Sequence, residues 1–316
     1  MTPTIGVFDS GFGGLTVLRA LLDRLPLAHY AFIGDTARLP YGSKSRRTIA
    51  RYAAESAQFL VHKQGAQFLV IACNTASALA LDAIQAAVPV PVLGVIEPGA
   101  AAAHRASRSG DVLVIATDAT VQSHAYAAAC QALGLRALEK ACPLLVPLVE
   151  EGWTNHPVTA EVIRIYLAEL LDEAAALGMK PDTLVLGCTH YPLLRPLLEA
   201  AVPTGMKVID SAEATAETAV RLFGNSATSA EPIPQGLKPA DSSALIGSTE
   251  VVPDSKAHSG QLELKGQESE DEGAQRVPPN TQVRCFATDS VEKFQRLGSR
   301  FLNREVGHVE LVDLGG

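Results

Sequence analysis

The sequence predicts an α/β protein made of two similar halves, each with a parallel sheet. Three observations carry this. Strand-like apolar runs alternate with helix-like patterns from Thr4 to Phe223. The alternation restarts after Glu97-Pro98. Two apolar runs end alike, in Ala72-Cys73-Asn74-Thr75 and Gly187-Cys188-Thr189-His190. Such runs read as strands buried on both faces, with the cysteine on the turn at the strand's C-terminal end.

Thr4 to Phe8 is the first strand. It enters Asp9-Ser10-Gly11-Phe12-Gly13-Gly14, then a helix with Leu15, Leu18, Leu21, Leu22 and Leu25 on one face. The glycine turn offers free N–H groups for a carboxylate or phosphate, but it matches no nucleotide-binding pattern. His29–Gly34 is a strand, Asp35–Gly42 a loop with a turn at Pro40-Tyr41-Gly42, and Ser43 to about Lys63 a helix. Gln67–Ala72 leads to Cys73 and an alanine-rich helix, and Val92–Ile96 is the next strand.

In the second half Asp111–Ala116 is a strand, followed by a polar turn, Thr117–Ser123, and a helix through Tyr126. Arg136–Ala141 is a short strand, Leu144–Glu150 an apolar stretch, and Val158–Leu177 a long helix closed by Gly178. Thr183–Gly187 leads to Cys188. Lys207–Asp210 is a strand and Ala212–Phe223 a helix. Gly224 to about Asn280 is rich in Ser, Pro, Gly and acidic residues, which predicts disorder, with strand-like pieces at Ser243–Ile246 and Leu262–Leu264. Gln282–Ala287, Ser290–Leu302 and His308–Leu311 read as strand, helix and strand.

Composition narrows the function. The 316 residues are 47% hydrophobic, enough for two modest cores, and no apolar run is long enough to span a bilayer. A net charge of −8 without a basic cluster argues against nucleic acid as a partner. Lys44, Arg46 and Arg47 read as the solvated start of a helix. Nothing like a signal peptide precedes the first strand, so a cytoplasmic location is expected, where structural disulfides are rare. Five scattered cysteines, Cys73, Cys130, Cys142, Cys188 and Cys285, fit no disulfide framework. Neither Cys73 nor Cys188 has a second cysteine at metal-ligand spacing, so no metal is expected.

A lone cysteine at a strand end is ordinarily core filler. Two on equivalent turns, each followed by polar groups, suggest one pocket with a sulfur on each side. A thiol, with a reference pKa of about 8.5, can give or take a proton near neutrality. Two of them on opposite faces of one carbon can invert a stereocentre. His190 stands beside Cys188, and Asp9 would lie near Cys73 if their strands are neighbours. Ser10, Asn74, Thr75 and Thr189 offer donors for an amino acid's charged groups, and Thr117, Thr120 and Glu150 are further candidates.

Asp9-Ser10-Gly11-x-Gly13-Gly14, Pro40-Tyr41-Gly42, Ala72-Cys73-Asn74-Thr75 and Gly187-Cys188-Thr189-His190-Tyr191-Pro192 together resemble the glutamate racemases, from about Ile5 to Phe223 and again near Phe286-Ala287-Thr288-Asp289. Two features depart from that family's usual pattern: Ala116-Thr117 stands in place of Gly-Thr, and Gly224–Asn280 is longer. The resemblance implies a cofactor-independent racemase that interconverts L- and D-glutamate for peptidoglycan, with Cys73 and Cys188 as catalytic acid/bases assisted by Asp9 and His190. It places substrate contacts on Asp9, Ser10, Tyr41, Gly42, Asn74, Thr75, Thr189 and His190. It implies two α/β domains facing each other across the active-site cleft, expected at 1–96 plus 210–316 (with the insert 224–280) and at 97–209. A homodimer is kept as a candidate assembly. The competing readings are an aspartate racemase of the same superfamily and a non-catalytic module that holds an acidic amino acid.

Overall fold

A computed structural model describes residues 2–224 and 281–315. The expected disorder between 224 and 280, with its two strand-like pieces, lies outside the described residues apart from Gly224. The strands are β1 Thr4–Asp9, β2 His29–Gly34, β3 Phe68–Ile71, β4 Val92–Gly94, β5 Asp111–Ala116, β6 Arg136–Ala141, β7 Thr183–Gly187, β8 Lys207–Asp210, β9 Val283–Ala287 and β10 Val309–Leu311. The helices are α1 Leu15–Arg24, α2 Arg46–Gln58, α3 Asn74–Leu79, α4 Leu81–Ala87, α5 Ile96–Ala106, α6 Asp118–Ser123, α7 Ala125–Ala132, α8 Leu145–Glu150, α9 Pro157–Ala176, α10 Arg195–Ala201, α11 Ser211–Phe223 and α12 Val291–Leu302.

All the pairings are parallel, in two sheets. One has six strands in the order β10-β9-β2-β1-β3-β4, the other four in the order β6-β5-β7-β8. The central strands are buried end to end, which is why they read as apolar runs with no alternation. Phe8 and Phe286 sit with Ile33 and Ile71 in the core of the larger sheet. Each such aromatic contributes about 1.5–3 kcal/mol through burial.

The sequence places a strand at Val92–Ile96 and a restart after Pro98. The structure ends the strand at Gly94 and begins α5 at Ile96. Pro98 falls in the first turn of that helix, where its missing N–H would have had no partner anyway. Ile96, Ala100 and Ala103 then pack into the core of the smaller sheet with Val112, Val114 and Val185. The expected polar turn at Thr117–Ser123 is instead mostly a short helix, α6, and the expected helix through Tyr126 is α7; the two meet at His124 in a left-handed conformation (φ 53°). The helix after Cys73 also divides, into α3 and α4, at Ala80.

The chain returns to the larger sheet after the insert. β9 pairs with β2, register Phe32↔Cys285, and α12 packs on α1. Gly34, at the end of β2, is where these parts meet most tightly. A Cβ there would collide with the Gly11 carbonyl oxygen and lie 2.6 Å from Phe294 Cε2. Gly34→Ala is therefore expected to destabilise the fold by about 1–3 kcal/mol or more, read as a lowered denaturant midpoint at unchanged slope. A wild-type midpoint would contradict this packing.

Candidate active site

Each sheet reverses its strand order once. β1 lies between β2 and β3, and β5 lies between β6 and β7. Helices leave to opposite sides at such a point and open a crevice beyond the strand ends, where α/β sheets bind ligands. Asp9 ends β1 and Cys73 follows β3. Thr117 follows β5 and Cys188 follows β7. Each cysteine thus stands at the reversal point of its own sheet.

Cys73 is 5% exposed. Its thiol donates to Ser10 Oγ at 3.4 Å, and its sulfur accepts from the Ala76 N–H at 3.4 Å, capping α3. Burial, helped by the nearby Asp9 charge, pushes this thiol up to about 12, against the hydrogen bonds from Ser10 and Ala76. At neutral pH it holds its proton. β1 and β3 are direct neighbours, Phe8↔Ile71, which is what brings Asp9 close. Asp9 is buried and accepts from the Gly11 N–H at 3.0 Å. Burial raises its carboxyl above the usual carboxylate range, opposed by the His190 charge and nearby backbone amides.

On the other side, His190 Nδ1 lies 3.9 Å from Cys188 Sγ and 3.3 Å from Thr189 Oγ1. Its Nε2 forms an ion pair with Glu150 Oε1 at 3.4 Å. Burial disfavours the imidazolium, but its contact with Cys188 and its ion pair with Glu150 outweigh this, and His190 is raised to about 10. A cation beside the sulfur is the partner that a thiolate needs. Phe12 and Phe301 hold the ring, at centroid distances of 6.1 and 4.9 Å. Gly13 leaves room for it: a Cβ there would run into Thr189 Oγ1 and lie 2.6 Å from His190 Nδ1.

Hydroxyl contacts join the two sides. Thr16 Oγ1 donates to the Thr189 carbonyl at 3.1 Å. Thr75 Oγ1 meets Thr117 Oγ1 at 3.1 Å and Thr120 Oγ1 at 3.2 Å. The Tyr126 hydroxyl donates to Asn74 Oδ1 at 2.8 Å. The amide nitrogen of Asn74 is buried with no hydrogen-bond partner among the described residues, a donor left for something else. Tyr41 is buried, and its hydroxyl is committed to Asp35 Oδ2 at 2.6 Å. That turn therefore offers a ligand its backbone and the partly exposed Gly42, not the phenol.

Contacts thus link Ser10 with Cys73, His190 with Cys188, Thr189 and Glu150, and Thr75 with Thr117 and Thr120, while Asp9 lies beside Cys73 and Asn74 follows it in the chain. Asp35 was missed as more than the start of a loop. It holds Tyr41, takes Arg38 Nε on both oxygens at 3.0 and 2.8 Å, and accepts from Thr288 Oγ1 at 2.9 Å. It follows β2 directly, one residue beyond the Gly34 that pairs with Asp9, and an acidic residue at a strand's C-terminal end is a usable signal. Tyr126, Phe301 and Lys293 gave none, since an aromatic or a lysine at helical spacing reads as core or surface.

His190 is expected to stay protonated through neutral pH and to lose its proton near 10, followed by NMR of labelled imidazole. A midpoint at the ordinary histidine value would contradict the charge environment described above.

Similarities to a known family and to known proteins bear on this site. The Asp/Glu/Hydantoin racemase family model matches residues 14–219. The chain is 49% identical over 316 residues to a glutamate racemase of Koribacter versatilis, covering 99% of this chain and 98% of that protein. Its fold matches the glutamate racemase isoform RacE1 of Bacillus anthracis, and the glutamate racemase of Francisella tularensis in complex with D-glutamate. Each match has a TM-score of 0.75 at 30% identity, covering 99% of this chain and 98% of the other. With its two reversal-point thiols lying inside the matched span, the chain belongs to the Asp/Glu/Hydantoin racemase family.

Proposed function

We propose that the chain is a glutamate racemase that interconverts the L and D enantiomers without a cofactor, using Cys73 and Cys188 as its two acid/base groups. The observation that carries this is the unlike pair of buried thiols. One is a firmly protonated thiol beside Asp9; the other sits against the His190 cation. A thiolate on one face removes the α-proton, and the C–H electron pair passes into the substrate's α-carboxylate system. The thiol on the other face donates its proton to the same carbon. The two sulfurs end with their protonation states exchanged, ready for the reverse reaction. Donors at Ser10, Asn74, Thr75 and Thr189 hold the carboxylates, and the unpartnered amide of Asn74 suits that task.

We further propose that residues 1–96 with 210–316 and residues 97–209 form two domains, in line with the membership of the two sheets. The enzyme acts in the cytoplasm and supplies D-glutamate for peptidoglycan; no helix of the described residues is long and apolar enough to cross a membrane. A homodimer is the first assembly to test, by light scattering.

The test is a chirality assay on D-glutamate with no added cofactor. Cys73→Ala and Cys188→Ala are each expected to abolish racemisation while leaving glutamate binding measurable. In D₂O, deuterium enters mainly the product enantiomer during initial turnover. Racemisation by either alanine variant would overturn the two-thiol assignment. Enantiomers have equal free energy, so kcat/KM in the two directions must stay equal in every variant. For Asp9→Asn and His190→Asn the difference between directions is therefore expected in kcat and KM separately.

A further inference from the structure

We infer that Lys293, on the C-terminal helix α12, is a positioning residue that sets the charge of His190 through Glu150. The inference rests on Cys188 and His190 being a proton-transfer pair. The Lys293 ammonium pairs with Glu150 Oε2 at 3.5 Å, while the other carboxylate oxygen pairs with His190 Nε2 at 3.4 Å. One carboxylate therefore bridges two cations from distant parts of the chain. Lys293 also lies 5.6 Å over the Phe12 ring, and Phe12 packs on His190. The same helix supplies Phe301 to the imidazole.

The physical consequence follows from competition. Glu150 is a partly buried acceptor whose charge burial alone would disfavour; His190 and Lys293 together hold its carboxyl below the usual range. With both cations present, the carboxylate is held between them, one oxygen on each, and does not close fully on the imidazole. Removing the lysine frees the carboxylate to close on the imidazolium, which stabilises protonated His190. The other titratable or charged groups here are Asp9 at the end of β1, Cys188 after β7, Glu151 just after α8, and Arg300 of α12, whose guanidinium packs against Gly152. Only Lys293 pairs with Glu150 from α12 among the described residues.

Lys293→Met is expected to raise the His190 midpoint, measured by NMR, by about 0.5–1 pH unit. The alkaline limb of kcat/KM should move up with it, since that profile reports the free enzyme. Lys293→Arg should keep both at their wild-type positions. In a Glu150→Gln background the same lysine substitution should lose most of its effect. A helix that merely docks would lower activity or stability without moving either midpoint. An unmoved His190 midpoint in Lys293→Met, or a shift undiminished in Glu150→Gln, would overturn the inference. The NMR arm needs no turnover: absence of racemisation in the wild type would overturn the proposed function instead.

Discussion

Two chemically different turns must be held at a fixed separation, and a set of hydroxyl contacts links the elements around them. Thr16 reaches the Thr189 carbonyl, Thr75 meets Thr117 and Thr120, and Tyr126 fixes Asn74. Each link joins an element that follows a strand of the six-stranded sheet to one that follows a strand of the four-stranded sheet. Single neutral hydrogen bonds contribute only about 1 kcal/mol net. Several in a buried cluster fix orientation, because any one broken leaves an unsatisfied polar group away from water. A proton-transfer site tolerates little displacement, so orientation matters here more than total stability.

The larger architecture serves the same constraint. Each sheet has one strand flanked on both sides by later strands, and the reversal opens a crevice at its end. The first sheet places a carboxylate and a thiol there; the second places a threonine and a thiol. Similar topology thus delivers two sulfurs, while the local residues make them unlike. Burial and a neighbouring carboxylate keep one protonated. An imidazole anchored by Glu150 stands beside the other.

Much of this was legible in the sequence because it is local. Buried parallel strands announce themselves as unbroken apolar runs, and a cysteine followed by polar residues at the end of two of them is a conspicuous pattern. The neighbourhood of Asp9 and Cys73 followed once strand adjacency was supposed. What was not legible depends on long-range packing. The restart of the alternation reads as falling after Pro98, yet Pro98 sits in the first turn of α5, where it breaks nothing. Nothing local shows that the Tyr41 hydroxyl is taken by Asp35. Lys293 lies beyond the insert, and no local periodicity reveals that α12 folds back over Phe12.

The pairing of β9 with β2 also bears on how the protein is made. β2 is an apolar strand close to the N-terminus, with β1 on one side and β9 on the other. During ribosomal synthesis β1 emerges with it, but β9 begins only at Val283. Until then β2 is a naked sheet edge with unpaired amides and carbonyls, the kind of template on which nascent chains stick together. Pairing strands so far apart in sequence is also slow. The larger sheet therefore stays unfinished while the residues between β2 and β9 are made, and chaperone protection would matter most in that interval.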